Sequence, residues 1–458
     1  MKRFVFALTL LLGVSHSFAQ SMLSREKAVE DIDYYIRVMK ESHYAPFMYI
    51  SQAAYDAQVK QLKATIGDSI GIRDFVLLCY QVTALTKDAH CTPNLVQAAF
   101  MDEFKKEQFF PYKIVQDKHL IYAPLLLAKD LDIPEGTELV TINGKKFNAL
   151  FEQIQSGIAG IPAFKEEAAC RLMPYFLFLH GIQPPFVLGY KDEKGVLQQV
   201  TLPTGTTFKK ALTASLPHLV QPYHSEIVEG TLGYIDVRSL SGDVKTFGAF
   251  LDTCFQTFRK ANVKAVAIDL RQNSGGNTLL GDVLFSYITD KKYSWGNKSW
   301  RISQAYKDYL VADGDTGAAY LKQPNGTVWE SGNNCVPEEN KFTQNEKFQG
   351  KVFFITGPFT FSSAMAMADV VKTYHLGTLV GEPTGEDTQD FGEAFGILMP
   401  NSKIKIQSTT SFSHGADCHR TKNSPVQPDI PISRELVEKV WGKDKALHGV
   451  LHLTMLGN

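Results

Sequence analysis

Two serines stand where a helix could begin. In Phe353-Phe354-Ile355-Thr356-Gly357-Pro358-Phe359-Thr360-Phe361-Ser362-Ser363-Ala364, an apolar run enters a Gly-Pro turn and leaves into helical sequence. A hydroxyl held there can act as a nucleophile, because the free N–H groups and dipole of a helix N-terminus favour developing negative charge. Serine is also a preferred helix cap, so the pair alone decides nothing. A second apolar run ends in Asp269-Leu270-Arg271-Gln272-Asn273-Ser274-Gly275-Gly276-Asn277. Adjacent glycines let the backbone approach a substrate and aim N–H groups at an oxyanion, although a tight turn needing positive φ would use them equally well. The phosphate-loop pattern G-x-x-x-x-G-K is absent from it. His90, in Asp88-Ala89-His90-Cys91, follows a helical pattern and offers an imidazole able to accept a serine proton. Taken alone, it also reads as an ordinary loop histidine.

Other reactive residues point to less. The six cysteines are Cys79, Cys91, Cys170, Cys254, Cys335 and Cys418, and no two form C-x-x-C. A zinc ribbon and a thioredoxin motif are therefore excluded. Cys79 and Cys254 fall on apolar helical faces and read as core residues. Cys335 and Cys418 lie in polar loop sequence and are the expected disulfide pair. His414 and His419 flank Cys418, but their spacing fits no zinc pattern. No metal and no organic cofactor is expected.

These candidates must be positioned by elements of two kinds. Ser24 can cap a helix whose apolar positions Ala28, Ile32, Ile36 and Met39 recur at helical spacing. Ser51 starts a second helix with Tyr55, Val59, Leu62 and Ile66 on one face, and a third runs through Phe75, Leu78, Val82 and Leu85 to end near Lys87. Residues 20–98 thus read as a helical region. Residues 99–205 read as a compact β-rich module with one helix through Phe147, Leu150 and Ile154. Its strands include Leu120 to Tyr122 and Glu138 to Ile142, and Phe186 to Tyr190 with Gln198 to Leu202 forms a hairpin. From residue 225 to 458, strands alternate with helices. Val263 to Leu270 and Val352 to Ile355 are nearly continuous apolar runs, as strands buried on both faces are. The alternation implies βαβ units and a parallel-rich α/β sheet. Residues 293–348 are polar and aromatic without clear periodicity, and read as an insertion or lid.

The whole chain has 458 residues, enough for about three domains. Its apolar fraction of 44% and charged fraction of 21% are those of a folded globular protein. A formal charge of −1 gives no electrostatic footprint for nucleic acid. Met1-Lys2-Arg3, the apolar run Phe4 to Val14 and the small residues Ser17 and Ala19 read as a secretory signal over residues 1–19, cleaved after Ala19. No second long apolar run follows, so no membrane span is expected after cleavage. The expected location is secreted or periplasmic.

In combination, the motifs resemble those of the S41 peptidases, the family of the C-terminal processing peptidases and the tricorn protease. Asp88 to Cys91 is similar to the family's D-G-H-T, and Gly136 to Gly144 to the end of its PDZ-like module. Asp269 to Gly276 resembles D-L-R-x-N-x-G-G, and Thr360 to Ala364 resembles the nucleophile segment T-x-S-[AS]. Gly381-Glu382-Pro383-Thr384 and Gln427-Pro428-Asp429-Ile430 follow in the family's order. The resemblance implies a ClpP/crotonase-like parallel-rich core preceded by a helical region and a PDZ-like module. It also implies a serine endopeptidase that acts on peptides or proteins through an acyl-enzyme. By position, Ser362 is its nucleophile, Ser363 offers its backbone N–H to the oxyanion, and Gly275 or Gly276 supplies the other donor.

The base divides the family. Processing peptidases use a lysine a few residues after G-E-P-T, where this chain has Asp387 and no lysine from Gly381 to Gly392. The tricorn-like branch uses the histidine of D-G-H-T, which His90 matches. That branch also uses a glutamate shortly before its final P-D, and Cys418 to Pro425 contains none. Asp88, Glu382 and Glu386 are the candidates to orient His90. The alternative is an S41-like peptide-binding protein without catalysis, in which strand addition to the PDZ-like module requires no chemistry.

Overall fold

The computed structural model describes residues 22–97, 107–117, 120–126, 133–134, 136–192, 194–332, 334–434 and 444–455. The expected signal segment, residues 1–19, lies outside them.

The alternating half builds one six-stranded sheet. Its order is Tyr223–Val228, Leu232–Val237, Ala265–Asp269, Lys351–Thr356, Thr378–Gly381, Ile430–Pro431. The first pair is antiparallel and every later pair is parallel. Ile268 stands opposite Phe354, and Phe354 opposite Leu379, so large apolar side chains are aligned across the sheet. The helices Val244–Lys260, Thr278–Ser286 and Ser363–Tyr374 bury one face through Phe247, Leu251, Leu284, Met367 and Val371. Helix Lys445–Met455 covers the other with Ala446, Val450 and Leu451. Cover on both faces is why these strands are apolar without alternation. The expected α/β, parallel-rich core is thus observed.

The first half is organised differently. Ser24 and Ser51 cap the helices Arg25–Ser42 and Gln52–Ala64, accepting from Lys27 N and Ala54 N. The third helix is Ile72–Ala84, shorter than the expected end near Lys87. Lys87 has a φ of 61°, which no helix interior permits, so the chain has already turned toward Asp88. An antiparallel sheet follows in the order Tyr112–Asp117, Leu120–Leu126, Thr137–Ile142, Phe186–Lys191, Leu197–Leu202. The expected hairpin is present, with Phe186 opposite Leu202. The expectation of one helix in this region is corrected to three among the described residues: Phe147–Ser156, Pro162–Arg171 and Met173–Leu179.

The reading of residues 293–348 as an aperiodic insertion is also corrected. Strands Lys298–Arg301 and Val328–Ser331 pair with each other, and the first also pairs with Ser411–Ser413. Helix Gln304–Asp313 packs Tyr306 and Leu310 into the same hydrophobic core as the N-terminal helices. The hairpin Phe395–Leu398 and Lys405–Ser408 joins that core through Phe395, Ile397 and Ile406. The elements were hidden because each strand has only four residues, too few to display a period of two. The expected Cys335–Cys418 disulfide is present, with Cα atoms 5.9 Å apart, and ties this stretch to the loop after Ser413. Cys79 and Cys254 are free and buried.

Candidate active site

The loops that carry chemistry gather at the seam between the two cores. The first comes from the central strand Lys351–Thr356, which leads through Gly357 to Phe361 into the helix Ser363–Tyr374. Thr360 Oγ1 fastens this turn, donating to Leu270 O at 2.9 Å and accepting from Gly357 N at 3.0 Å. Ser362 is the residue before the helix, and it does not cap it. Its φ of 53° and ψ of −128° lie outside the extended region a capping residue uses, and its side chain makes no cap hydrogen bond. Ser24, Ser51, Thr207, Asp243, Asn277 and Ser303 all do cap, from extended backbone. A non-glycine residue at positive φ, with its hydroxyl released from capping, is a strained turn that presents a side chain.

The glycine turn lies against it. A Cβ on Gly275, whose φ is 104°, would come within 2.7 Å of Ser362 Cβ, so only glycine permits this approach. A Cβ on Gly276 would meet Leu240 backbone at 2.3 Å. Gly275 donates its N–H to Asn273 Oδ1 at 2.8 Å. This N–H is therefore already used within the turn. The bridge to Leu240 uses Gly275 O and Asn277 N, and leaves the Gly276 N–H unused by it. Ser363 Oγ donates to Gly276 O at 2.6 Å and so pins the two turns together.

His90 arrives from the other half of the chain. Its ring packs on Phe361, centroids 4.6 Å apart, and Phe361 stacks in turn on Phe164 at 4.6 Å. Phe164 belongs to helix Pro162–Arg171, which the sequence reading missed. Arg171 of that helix lies 4.2 Å over Phe359 and donates to Gln272 Oε1 at 2.6 Å, so the helix grips both functional turns. His90 Nδ1 faces two carboxylates, Asp88 Oδ1 at 3.3 Å and Glu386 Oε1 at 3.4 Å. His90 Nε2 is buried with no hydrogen-bond partner among the described residues. Glu386 also accepts the backbone N–H of Ser362 through Oε2 at 2.6 Å, so one side chain touches both the nucleophile candidate and the base candidate. Glu382, the third orienting candidate, is instead held by Arg434 Nε at 2.5 Å.

Burial disfavours ionised Asp88, but hydrogen bonds from His43 and His90, and the charge of the His90 ring, hold its carboxyl well below the usual range. Burial acts to lower His90, yet its hydrogen bond to Asp88 and the Asp88 charge leave it raised. Glu386 is pushed well up by burial and by the charge of Asp390. Asp390 is pushed up to about 7 by burial and by Asp88. Burial and the Asp88 charge raise the Cys91 thiol, which keeps it protonated and a poor nucleophile. His43, Asp88 and Cys91 bring ligand-type atoms within 4.8 Å of one another. Those atoms are already committed to hydrogen bonds, and His43 Nε2 would have to surrender its hydrogen to bind a metal.

A serine released from capping at the start of a helix, beside a glycine turn, is an arrangement that serine hydrolases use. Residues 231–432 match the model of peptidase family S41, so this part of the chain is an S41 peptidase domain and the chain is an S41-like serine-type peptidase. Among solved structures, mature CPAF is similar over 95% of this chain and 98% of its own, at 17% identity and a TM-score of 0.63. Mature CPAF complexed with lactacystin is similar over 94% and 98%, at 15% identity and a TM-score of 0.65. At these identities the likeness is one of fold. No curated protein matches the chain. No helix among the described residues is long and apolar enough to cross a membrane.

Proposed function

We propose that the chain is a secreted or periplasmic serine endopeptidase in which Ser362 is the nucleophile and His90 the base. The observation that carries this is the state of Ser362: it begins a helix at positive φ, caps nothing, and shares Glu386 with His90. Ser362 Oγ attacks the scissile carbonyl carbon and gives its proton to His90 Nε2. The carbonyl oxygen, now negative, is held by the N–H groups of Ser363 and Gly276 at the start of the helix. His90 then gives the proton to the leaving amine as the C–N bond breaks, and an acyl-enzyme forms on Ser362 Oγ. Water repeats the sequence and releases the acid. Residues 1–19 direct export, and the antiparallel sheet from Tyr112 to Leu202 serves as a PDZ-like module that receives extended peptide.

The test is turnover of a broad peptide library with labelling by a fluorophosphonate probe. We expect Ser362→Ala to abolish labelling, and Ser362→Ala and His90→Ala each to cut turnover by roughly 10³–10⁴-fold or more. Peptide binding without labelling or turnover would replace this reading with the inactive peptide-binding protein. Loss in Ser362→Ala alone would move the base elsewhere.

A further inference from the structure

The two carboxylates at His90 Nδ1 lie almost equally near it, but their surroundings differ. Asp88 is 1% exposed, and donors from three parts of the chain converge on it. Its Oδ1 accepts the backbone N–H of His90 at 2.8 Å and faces the ring nitrogen of the same residue at 3.3 Å, which closes the Asp88–His90 loop around the imidazole. Its Oδ2 accepts from Thr409 Oγ1 at 2.7 Å, His43 Nε2 at 3.2 Å and Cys91 Sγ at 3.3 Å. The tautomer of His43 follows from its neighbour. Ala45 N–H donates to His43 Nδ1 at 3.1 Å, so the hydrogen sits on Nε2 and points to Asp88. His43 is 1% exposed and packs at 4.4 Å on Phe391, so its ring is fixed. Every partner of Asp88 Oδ2 is a donor, and an ionised carboxylate, which only accepts, satisfies them all.

Glu386 is placed otherwise. Its Oε2 is taken by Ser362 N–H, and its Oε1 has no hydrogen-bond partner among the described residues, 3.4 Å from the ring nitrogen. It lies beside Asp390, and two buried carboxyls that close favour the protonated form of one. Two acids in one site, with environments that push them apart, take different roles.

We propose that Asp88 is the positioning carboxylate of this active site, fixed by His43 and Thr409, and that Glu386 holds the turn of the nucleophile rather than the base. The proposal rests on the reading of Ser362 and His90 given above. Asp88 holds the hydrogen of His90 on Nδ1 and so leaves Nε2 to take the proton of Ser362. It stays ionised while the ring becomes positively charged, and no proton passes to it. This supplies, from two residues before the histidine, an orienting group that the segment before Pro428 lacks.

The experiment measures kcat and KM against pH for the full chain and for Asp88→Asn, Glu386→Gln, Thr409→Val and His43→Gln. Asp88→Asn is expected to lower kcat by roughly 10³–10⁴-fold with KM within about threefold. It also moves the acidic limb of kcat/KM to lower pH, because the ring loses the charge that favours its protonation. The charged and titratable groups facing that ring are Asp88, Glu386, Asp390 and Glu393, and the last is paired with Lys298, so the Asp88 change removes the ionised carboxylate nearest the ring. Glu386→Gln still accepts the Ser362 N–H and is expected to lower kcat by less than Asp88→Asn does, with the limb in place. The proposal is overturned if Asp88→Asn stays within about tenfold and its limb does not move, or if Glu386→Gln produces the larger loss and the shift. Should Asp88→Asn fail to fold, Thr409→Val and His43→Gln decide: an acidic limb unmoved in both overturns the proposal. His90→Ala separates the two levels. Activity that survives it removes the base reading itself, whereas activity lost there and kept in Asp88→Asn removes only the proposal.

Discussion

The proposed nucleophile and the proposed base are held in place by different means. Ser362 depends on a strand, a five-residue turn and a helix that are consecutive in sequence, and the turn is tied to the neighbouring strand end through Thr360 and Leu270. His90 depends on contacts between distant segments: Asp88 with Thr409, the ring with Phe361, and Phe361 with Phe164. The matched S41 domain, residues 231–432, contains Ser362 and the glycine turn but not His90. A nucleophile needs a rigid local backbone because its geometry against the oxyanion donors is set by φ and ψ. A base needs its hydrogen fixed on one ring atom, which any well-placed carboxylate can do by accepting it. The second requirement can be met from many places in a fold, and here the proposed carboxylate lies two residues before the histidine, fixed by His43 and Thr409.

The core that carries His90 offers the largest effect on stability. Asp31 of the helix Arg25–Ser42 is 0% exposed and accepts from Asn401 N and Ser402 N, both at 2.8 Å, at the tip of the Phe395–Ser408 hairpin. Asp31→Ala leaves these amides without a partner and should cost about 2–4 kcal/mol in thermal unfolding. Hydrogen exchange should show where: faster in the Arg25–Ser42 helix and the hairpin, unchanged in the strands Ala265–Asp269 and Lys351–Thr356. Equal loss of protection in both regions would mean that the two cores unfold as one unit, and would break the comparison.

A smaller effect is expected at Phe164, which bridges the halves without being part of either functional turn. Phe164→Ala removes the ring that backs Phe361 and Phe359. The stacking lost is worth about 1–3 kcal/mol. Turnover should fall about tenfold, through His90 placement, while reactivity of Ser362 toward a small fluorophosphonate falls less. Equal losses in the two assays would place Phe164 behind the nucleophile instead.

Much of this was legible in the sequence where causes are local. The caps at Ser24 and Ser51, the Phe186 to Leu202 hairpin, the apolar parallel strands and the turn before Ser362 follow from residue type and short-range period. So did the pairing of Cys335 with Cys418, drawn from their polar surroundings. The helix Pro162–Arg171 was not, because Ala163, Phe164, Ala168, Ala169 and Cys170 do not form one apolar stripe; Phe164 and Arg171 face the functional turns while Ala168 and Ala169 face the core. His43 gave no signal at all. It is 45 residues from Asp88 at the end of a helix, and only the tertiary fold reveals that its ring hydrogen serves a carboxylate. Asp88 and Glu386 were both candidates in sequence, and the choice between them depends on distances and burial.

The smallest predicted effect separates the acid that is shared from the one that is fixed. Asp390 beside Glu386 is protonated in the folded chain up to about pH 7, whereas an unfolded aspartate loses its proton near pH 4. Between these values the folded state binds the extra proton, so this group's stabilisation is present at low pH and is lost as pH rises through about 7. Asp88 has the opposite sign: its carboxyl is depressed, so its contribution is present at neutral pH and lost only in strong acid. Asp390→Asn should therefore leave stability at pH 4 almost unchanged and raise it by roughly 1–3 kcal/mol at pH 8 relative to the unmutated chain. Denaturant unfolding at the two pH values measures the difference. A gain of equal size at both would mean that Asp390 is ionised in the folded state throughout, and the carboxylates around His90 would then have to share their charge rather than divide their roles.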